Sequence, residues 1–409
     1  MTLLSSTPQG KKWLNRFDPD DRKTATALID EILLVSRDDF SSGITHQLDS
    51  IVASADGPLA LFAERPIKKV FGRIPAFFPK SRHGRAEGPG VAPIQVDPRN
   101  QEVGSEGILS QLITEYCRRH IEECLNHPGP TKMREDKVRK IIILTDFIGS
   151  GDRVTRMLES FRHVATLKSW HSYKLIEFTV VAYSGSATGI HKVRGNRLHP
   201  EVRLVTGCPT LVDAFAGGEL RQIEQLCRNY PKKHPQPLGY SNSGALIAFA
   251  HGCPNNAPPI LHSRLGRWVP LFKGRSTSDI LTPLLKDEDY SDVHQRVTKL
   301  LGIRDARNKL GSDDESRWVC SMLVLSAAEK GLREVTKISA RTHLPLGDVA
   351  EIHEMAVQAG WLDMKAGLTE LGRRELVRLR RRRRRAPILA SGTGEYYFPS
   401  QLRSLHDRD

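Results

Sequence analysis

Hydrophobic and polar positions along this chain change period several times, and each change predicts an element. Asp18-Pro19-Asp20-Asp21 opens a helix, with a capping acid, proline in the first turn and further acids at the positive dipole end. Ala25, Leu28, Ile29, Ile32 and Leu33 then recur at helical spacing, and Ile44, Leu48, Ile51 and Val52 repeat the stripe in a second helix. The short apolar run 59–63 predicts a strand. Gly104-Ser105-Glu106-Gly107 opens a helix through Ile108, Leu112, Ile113 and Tyr116. The run 141–144 (Ile-Ile-Ile-Leu) suits a strand covered on both faces, and Val154, Met157, Leu158 and Phe161 form an amphipathic helix after a glycine-rich turn. A further strand is expected over 176–182, followed by the small-residue loop 183–189; a loop over 239–244 leads into a strand over 245–250. Strand-turn-helix units in this order predict an α/β fold, a Rossmann-like, mostly parallel sheet flanked by N-terminal helices.

Beyond about residue 270 the pattern becomes polar, with a short helix expected around 293–301. Three helices follow over 318–328, 335–340 and 346–359, then Gly360-Trp361-Leu362-Asp363 and Gly367-Leu368-Thr369-Glu370-Leu371-Gly372. This closing portion resembles a winged helix-turn-helix. The domains expected are 1–275 (the α/β domain with its helical flank), 276–315 (linker), 316–385 (winged module ending in arginines) and 386–409 (tail, with Tyr396, Tyr397 and Phe398 as a docking patch or internal packing).

The 409 residues suffice for two domains, and no apolar run approaches the roughly 18 residues a membrane span needs. Residues 1–9 carry no basic segment followed by an apolar core, so a cytoplasmic location is expected. The six cysteines include no Cys-x-x-Cys pair; they read as core residues, and no metal site is expected from them. The formal charge of +14 calls for a polyanionic partner. One basic block is Arg65, Lys68, Lys69, Arg73, Lys80, Arg82 and Arg85, whose interleaved Phe71, Phe77 and Phe78 either anchor a loop or stack on bases; the block could also be a hood over the pocket. The other is the run Arg380, Arg381, Arg382, Arg383, Arg384 and Arg385, with Arg373, Arg374 and Arg378 before it, read as a grip on a nucleic-acid backbone. In the helix over 346–359, Asp348, Glu351 and Glu354 face solvent where a groove-reading helix wants cations or amides, so base-specific DNA readout is not expected.

The candidate chemistry lies in residues 141–153, where a buried strand runs into Asp146-Phe147-Ile148-Gly149-Ser150-Gly151-Asp152-Arg153. Gly149 and Gly151 allow close backbone approach, the next helix offers unpaired amides to a phosphate, and Asp146 can accept from sugar hydroxyls. Thr145 can bond a hydroxyl but brings no charge. Asp152 either caps the helix or repels a phosphate, and Arg153 offsets that repulsion. Ser105 is a second candidate ligand contact or a simple cap. Lys192 and Arg194 could meet a phosphate or form a basic helix face, and His251, at a strand end, is read as structural.

This motif resembles the phosphoribosyl-pyrophosphate loop of phosphoribosyltransferases: Asp146 takes the second acidic place, Phe147 and Ile148 the apolar places, and Ser150-Gly151 the Thr/Ser-Gly place. Thr145 replaces the first acid and Asp152-Arg153 replaces Gly-Thr. Residues 13–17, the first two helices, 104–107, the Asp146 loop and 238–260 together resemble a divergent phosphoribosyltransferase-like family associated with prokaryotic conflict systems, including retron-type antiphage operons. The resemblance implies a defence effector or accessory subunit that binds a ribosyl phosphate or nucleotide. Its implied cofactor is Mg2+ with bound phosphoribosyl pyrophosphate, and its implied partners are a nucleic acid and a reverse transcriptase with its RNA–DNA product. If the domain is an enzyme, Asp146 and Thr145 would be its catalytic positions, with glycosyl transfer or nucleotide hydrolysis as the reaction. The alternative is a phosphoribosyl-pyrophosphate-sensing regulator resembling purine repressors, although those place the winged helix first.

Overall fold

Five short apolar segments pair side by side in one parallel sheet: β2 (Leu59–Ala63), β5 (Cys124–Asn126), β6 (Lys140–Ile148), β7 (Glu177–Gly185) and β8 (Glu201–Leu204), in the order β5-β2-β6-β7-β8. The computed structural model describes residues 3–92, 105–278 and 313–381, together with Ile280, Arg296 and Leu300. The expected linker helix at 293–301, Gly104, Arg382, Arg383, Arg384, Arg385 and the tail lie outside the described residues, Arg296 and Leu300 excepted.

Alternation along β6 explains why the sheet is covered on both sides. Ile141 and Ile143 join a core with Val154, Met157, Leu158 and Phe161 of α6 (Asp152–Arg162) and Leu167 of α7 (Ala165–Ser172). Ile142 and Leu144 join a second core with Phe40, Ile44, Leu48 and Ile51 of α3 (Arg37–Ala53) and Leu109 to Tyr116 of α4 (Ser105–Arg119). Each of these isoleucines is fully buried, which stabilises the fold by about 1.5–3 kcal/mol per side chain. The chain leaves β2 for β5 on one side, then crosses back to β6, β7 and β8 on the other. The strand order therefore reverses between β2 and β6, the place where open α/β sheets leave a crevice.

A second, two-stranded parallel pair joins β1 (Leu33–Val35) to β9 (Ile247–Phe249), with Phe249 packed on Tyr183 of β7. Leu33, Val35, Ile247 and Phe249 pack toward the second core, while Leu34, Leu246 and Ala248 pack on α2 (Pro19–Ile29) and α10 (Gly217–Asn229). Here the structure corrects two expectations. The helix stripe was extended through Ile32 and Leu33, but α2 ends at Ile29 and Leu33 begins a strand, because its partner Ile247 supplies the ladder that a lone apolar run cannot show. The segment 183–185, expected as loop, continues β7. The hairpin β3 (Ser81–Arg82) with β4 (Arg85–Ala86) stands between β2 and α4.

The C-terminal module is a winged helix-turn-helix of α12 (Asp313–Glu329), α13 (Val335–Thr342), α14 (Leu346–Gln358) and α15 (Glu370–Arg381), with the wing closed by a Leu362–Leu368 bridge. Val349, Ile352 and Ala356 are buried while Asp348, Glu351 and Glu354 are exposed, as the heptad-like spacing predicts. The module docks by its helix-turn-helix elbow on the end of β8. The Leu346 amide donates to the Val205 carbonyl at 2.9 Å, the Gly207 amide donates to Ser339 Oγ at 2.9 Å, and Arg341 donates to the Ala214 carbonyl at 2.9 Å. Buried Glu31 ion-pairs with Arg296, and Arg341 lies 3.9 Å away. A side chain at Gly207 would put its Cβ 2.3 Å from the Thr336 carbonyl oxygen. Gly207→Val is therefore expected to part the two modules, splitting the calorimetric transition in two; a single unchanged transition would show that this contact does not hold them together.

Candidate functional site

At the strand-order reversal a cavity of about 650 Å³ opens, within the range that holds a small ligand. The loop 149–151 forms its floor. A Cβ on Gly149 would meet Asn256 Oδ1 at 2.3 Å, and a Cβ on Gly151 would meet the Gly189 carbonyl at 2.6 Å; Gly151 also has φ +74°. Gly151 therefore requires glycine, and a side chain at Gly149 would have to displace the Asn256 amide. Ser186, which caps α8 (Ala187–Arg194), binds the loop from the other side: its amide donates to the Ile148 carbonyl at 2.9 Å and its hydroxyl to the Gly149 carbonyl at 2.5 Å. Gly151 itself is the N-cap of α6 and has no side chain to cap it with; Ser150 Oγ accepts from the Asp152 amide at 3.3 Å. The first-turn amides of α6 have no intrahelical acceptor and stand at the positive end of the helix dipole.

Asp146 lies on β6 above this floor, its side chain 22% exposed. One oxygen accepts from the Phe147 amide at 2.7 Å and the other lies 3.2 Å from His251 Nε2. The His251 ring is buried, stacked on Phe249 at 5.0 Å and edge-on to Phe40 at 5.1 Å. His251, expected to be structural, lines the cavity as well, with Asp146 as its partner.

Glu64 was missing from the sequence reading. It follows β2 directly, is 4% exposed, and accepts from Arg153 Nε at 2.9 Å, while the same guanidinium binds Glu106. Nothing local marks Glu64; it reaches the cleft because β2 lies beside β6 in the sheet. Arg37, Arg275 and Asn256 also line the cavity, and Asn256 donates to Ser243 Oγ at 3.0 Å.

Of the residues expected at the site, Asp146, Gly149, Ser150, Gly151, Asp152 and Arg153 all line this one cavity. Asp152 is the first residue of α6 rather than its cap. It ion-pairs with Lys192 and accepts from the Ser150 hydroxyl at 2.9 Å, and these partners, Lys192 foremost, hold its carboxyl below the usual range. Thr145 is 1% exposed and lies beneath the cavity rather than in its lining, because β6 turns alternate side chains to opposite faces. Ser105 opens α4, and Glu106 lines the cleft. Arg373, Arg374 and Arg378 stand exposed on α15, within 3.7 Å of Glu370 or Glu375; the backbone of Arg380 and Arg381 continues that helix. No group of three potential metal ligands occurs among the described residues, and no described helix is long and apolar enough to cross a membrane.

A family model described as PRTase-CE matches residues 11–273, and one described as wHTH-PRTase associated matches residues 322–404. No curated protein and no solved structure matches the chain.

Burial pushes the Glu64 carboxyl up to about 7, against the pull of Arg153, with Asp146 and Glu106 adding to the rise. The folded state thus holds this proton more tightly than the unfolded chain does. The resulting stability is full below about 4.5 and is lost as pH rises through about 7. Glu64→Gln lacks the titration, so the unfolding free energy of wild type minus variant should fall by up to roughly 3 kcal/mol across that window in denaturant titrations. His127, pushed down to about 4 by burial, slopes the opposite way in both proteins, which is why the difference is the readout. Parallel curves would mean that Arg153 keeps Glu64 charged.

Proposed function

The chain belongs to the PRTase-CE family and carries the associated winged-helix domain, and from that premise we propose that its cleft binds a ribosyl phosphate or nucleotide. One observation carries the reading: Asp146 and the amino end of α6, whose N-cap is a glycine, converge on a single cavity at the strand-order reversal. In this reading the 5′ phosphate rests on the amides of residues 149–152, as phosphates do at helix amino ends. Asp146, oriented by His251, accepts from the ribose hydroxyls. Arg37, Arg153 and Arg275 supply positive charge, and Lys192 neutralises Asp152, the one loop carboxylate a phosphate would meet.

Mg2+ fits this cleft only in company with a pyrophosphate. The first acid of the phosphoribosyltransferase loop is Thr145 here, buried beneath the cavity, so Asp146 is the loop side chain that would hold the ion. When bound, the ion would neutralise charge on the phosphate oxygens. With one carboxylate where the loop usually has two, binding is better supported than turnover.

At the level of the cell we assign the chain to a prokaryotic, retron-like antiphage system as an effector or accessory subunit, acting in the cytoplasm. Its arginine-rich end would hold nucleic acid, with a reverse transcriptase and its RNA–DNA product as partners. The family resemblance and the charge of +14 support this assignment. The regulator reading is weaker, because α14 is acidic on its solvent side and its first residue is fastened to Val205.

Calorimetric titration of phosphoribosyl pyrophosphate and common nucleotides, with and without Mg2+, is expected to show binding to wild type and at least a tenfold loss in Asp146→Ala, about the loss of one charged hydrogen bond. Heat from none of these ligands would remove the cleft reading. Replacing Arg380 to Arg385 with Ser is expected to weaken nucleic-acid retention and flatten its salt dependence; an unchanged slope would show that those side chains touch no phosphates.

A further inference from the structure

Residues 65–86, which follow β2 and Glu64, do not line the cleft, yet they are built to present something. From Arg65 to Ala86 the segment contains seven cations and no acid. Lys68, Lys69, Arg73, Lys80, Arg82 and Arg85 are all exposed. The segment makes two tight hairpins. In the first, Val70 and Arg73 exchange backbone hydrogen bonds of 2.9 and 3.0 Å around Phe71 (φ 48°) and Gly72 (φ 76°). In the second, Arg82 pairs with Arg85 around His83 (φ 49°) and Gly84 (φ 74°).

Positive φ at both central positions defines the mirror-image two-residue turn, whose first place favours Asn, Asp or Gly. This chain puts an aromatic ring there twice, followed by Gly-Arg both times. A bulky residue in that region is strained, and Phe71 gains no packing in return, being 100% exposed. The hairpins are nonetheless firmly based. Phe77 and Phe78, between them, are buried, with Phe77 4.2 Å from Phe161. The Phe77 amide donates to the Ser160 carbonyl at 2.9 Å, Ser160 Oγ to the Pro75 carbonyl at 2.7 Å, and the Ala86 amide to Thr166 Oγ1 at 2.7 Å. Both hairpins thus spring from the corner between α6 and α7.

We propose that the twin hairpins form a binding site for single-stranded nucleic acid, with Phe71 and His83 stacking on bases and the flanking lysines and arginines holding the phosphates. Cations explain attraction to any polyanion, but two rings held out at the tips of strained turns select a partner that offers flat, unstacked faces. A duplex hides those faces, and an acidic peptide lacks them. Only one tip carries a purely apolar ring, which is little to insert into a lipid surface. None of the hairpin residues lines the ligand cleft.

The test uses the full chain with Arg380 to Arg385 replaced by Ser, so that the tail cannot supply the signal. Oligo-dT and oligo-U of about 20 nucleotides, carrying 5-iodouracil for photocrosslinking, are followed by anisotropy over a salt series. Crosslinks are expected at Phe71 or His83. The double change Phe71→Ser and His83→Ser should weaken binding about tenfold or more with an unchanged melting temperature. Arg73→Gln, Arg82→Gln and Arg85→Gln together should lower the logarithmic salt slope by about 2. The two oligomers report whether DNA or RNA is preferred. Crosslinks only elsewhere, equal affinity in the aromatic variant, or capture by phosphatidylserine vesicles without oligomer binding would each overturn the proposal.

Discussion

The site depends on a pinch of backbone that leaves no room for a methyl group. Gly149 lies against Asn256, Gly151 against the Gly189 carbonyl, and Gly189 against the Gly149 carbonyl, where an added Cβ would come within 2.1 Å. Three separate parts of the chain therefore meet at the turn after β6: the sheet, α8, and the stretch that follows β9. Because native interiors resist continuous deformation, the turn is fixed in one shape before any ligand arrives. The amino end of α6 and the Asp146 carboxylate inherit their aim from that fixation.

Charge around the pinch is mixed rather than uniformly positive. Glu64 and Glu106 share Arg153, Asp152 is held by Lys192, and Asp146 is backed by His251. A cleft made only for phosphate would be plainly cationic. This one pairs its anions internally. Burial of Glu64 adds that one of these anions holds its proton near neutrality. The cleft's net charge therefore depends on pH in the physiological range, through a residue that touches the principal arginine of the site.

Contiguous features were legible in the sequence, and features made by pairing were not. The strand-turn-helix around Asp146, the stripe Ile44, Leu48 and Ile51, and the acidic face of α14 could all be read from spacing, because each is set by neighbours within a turn or two. Glu64 was invisible because its role follows from β2 lying next to β6, which no local pattern reveals. Leu33 was misread for the same reason. Asn256 stood within a segment noted as distinctive, but its contact with Gly149 depends on two loops more than a hundred residues apart. Thr145 shows the opposite failure: it stood in the right place in the motif, and the pleat turned it beneath the cavity.

The β1–β9 pair joins Leu33 to Ile247, more than two hundred residues later. Non-local pairing of this kind is slow, since the chain entropy of closing the loop is lost before any contact rewards it. On the ribosome, α2 and β1 emerge before the five-stranded sheet and must wait while all of it is synthesised. Until β9 is delivered, the apolar run Ile32 to Val35 is exposed on a nascent chain, a natural place for a holding chaperone to bind. Truncated products that end before β9 would keep that run uncovered and be open to degradation, so only full-length copies of this domain would accumulate.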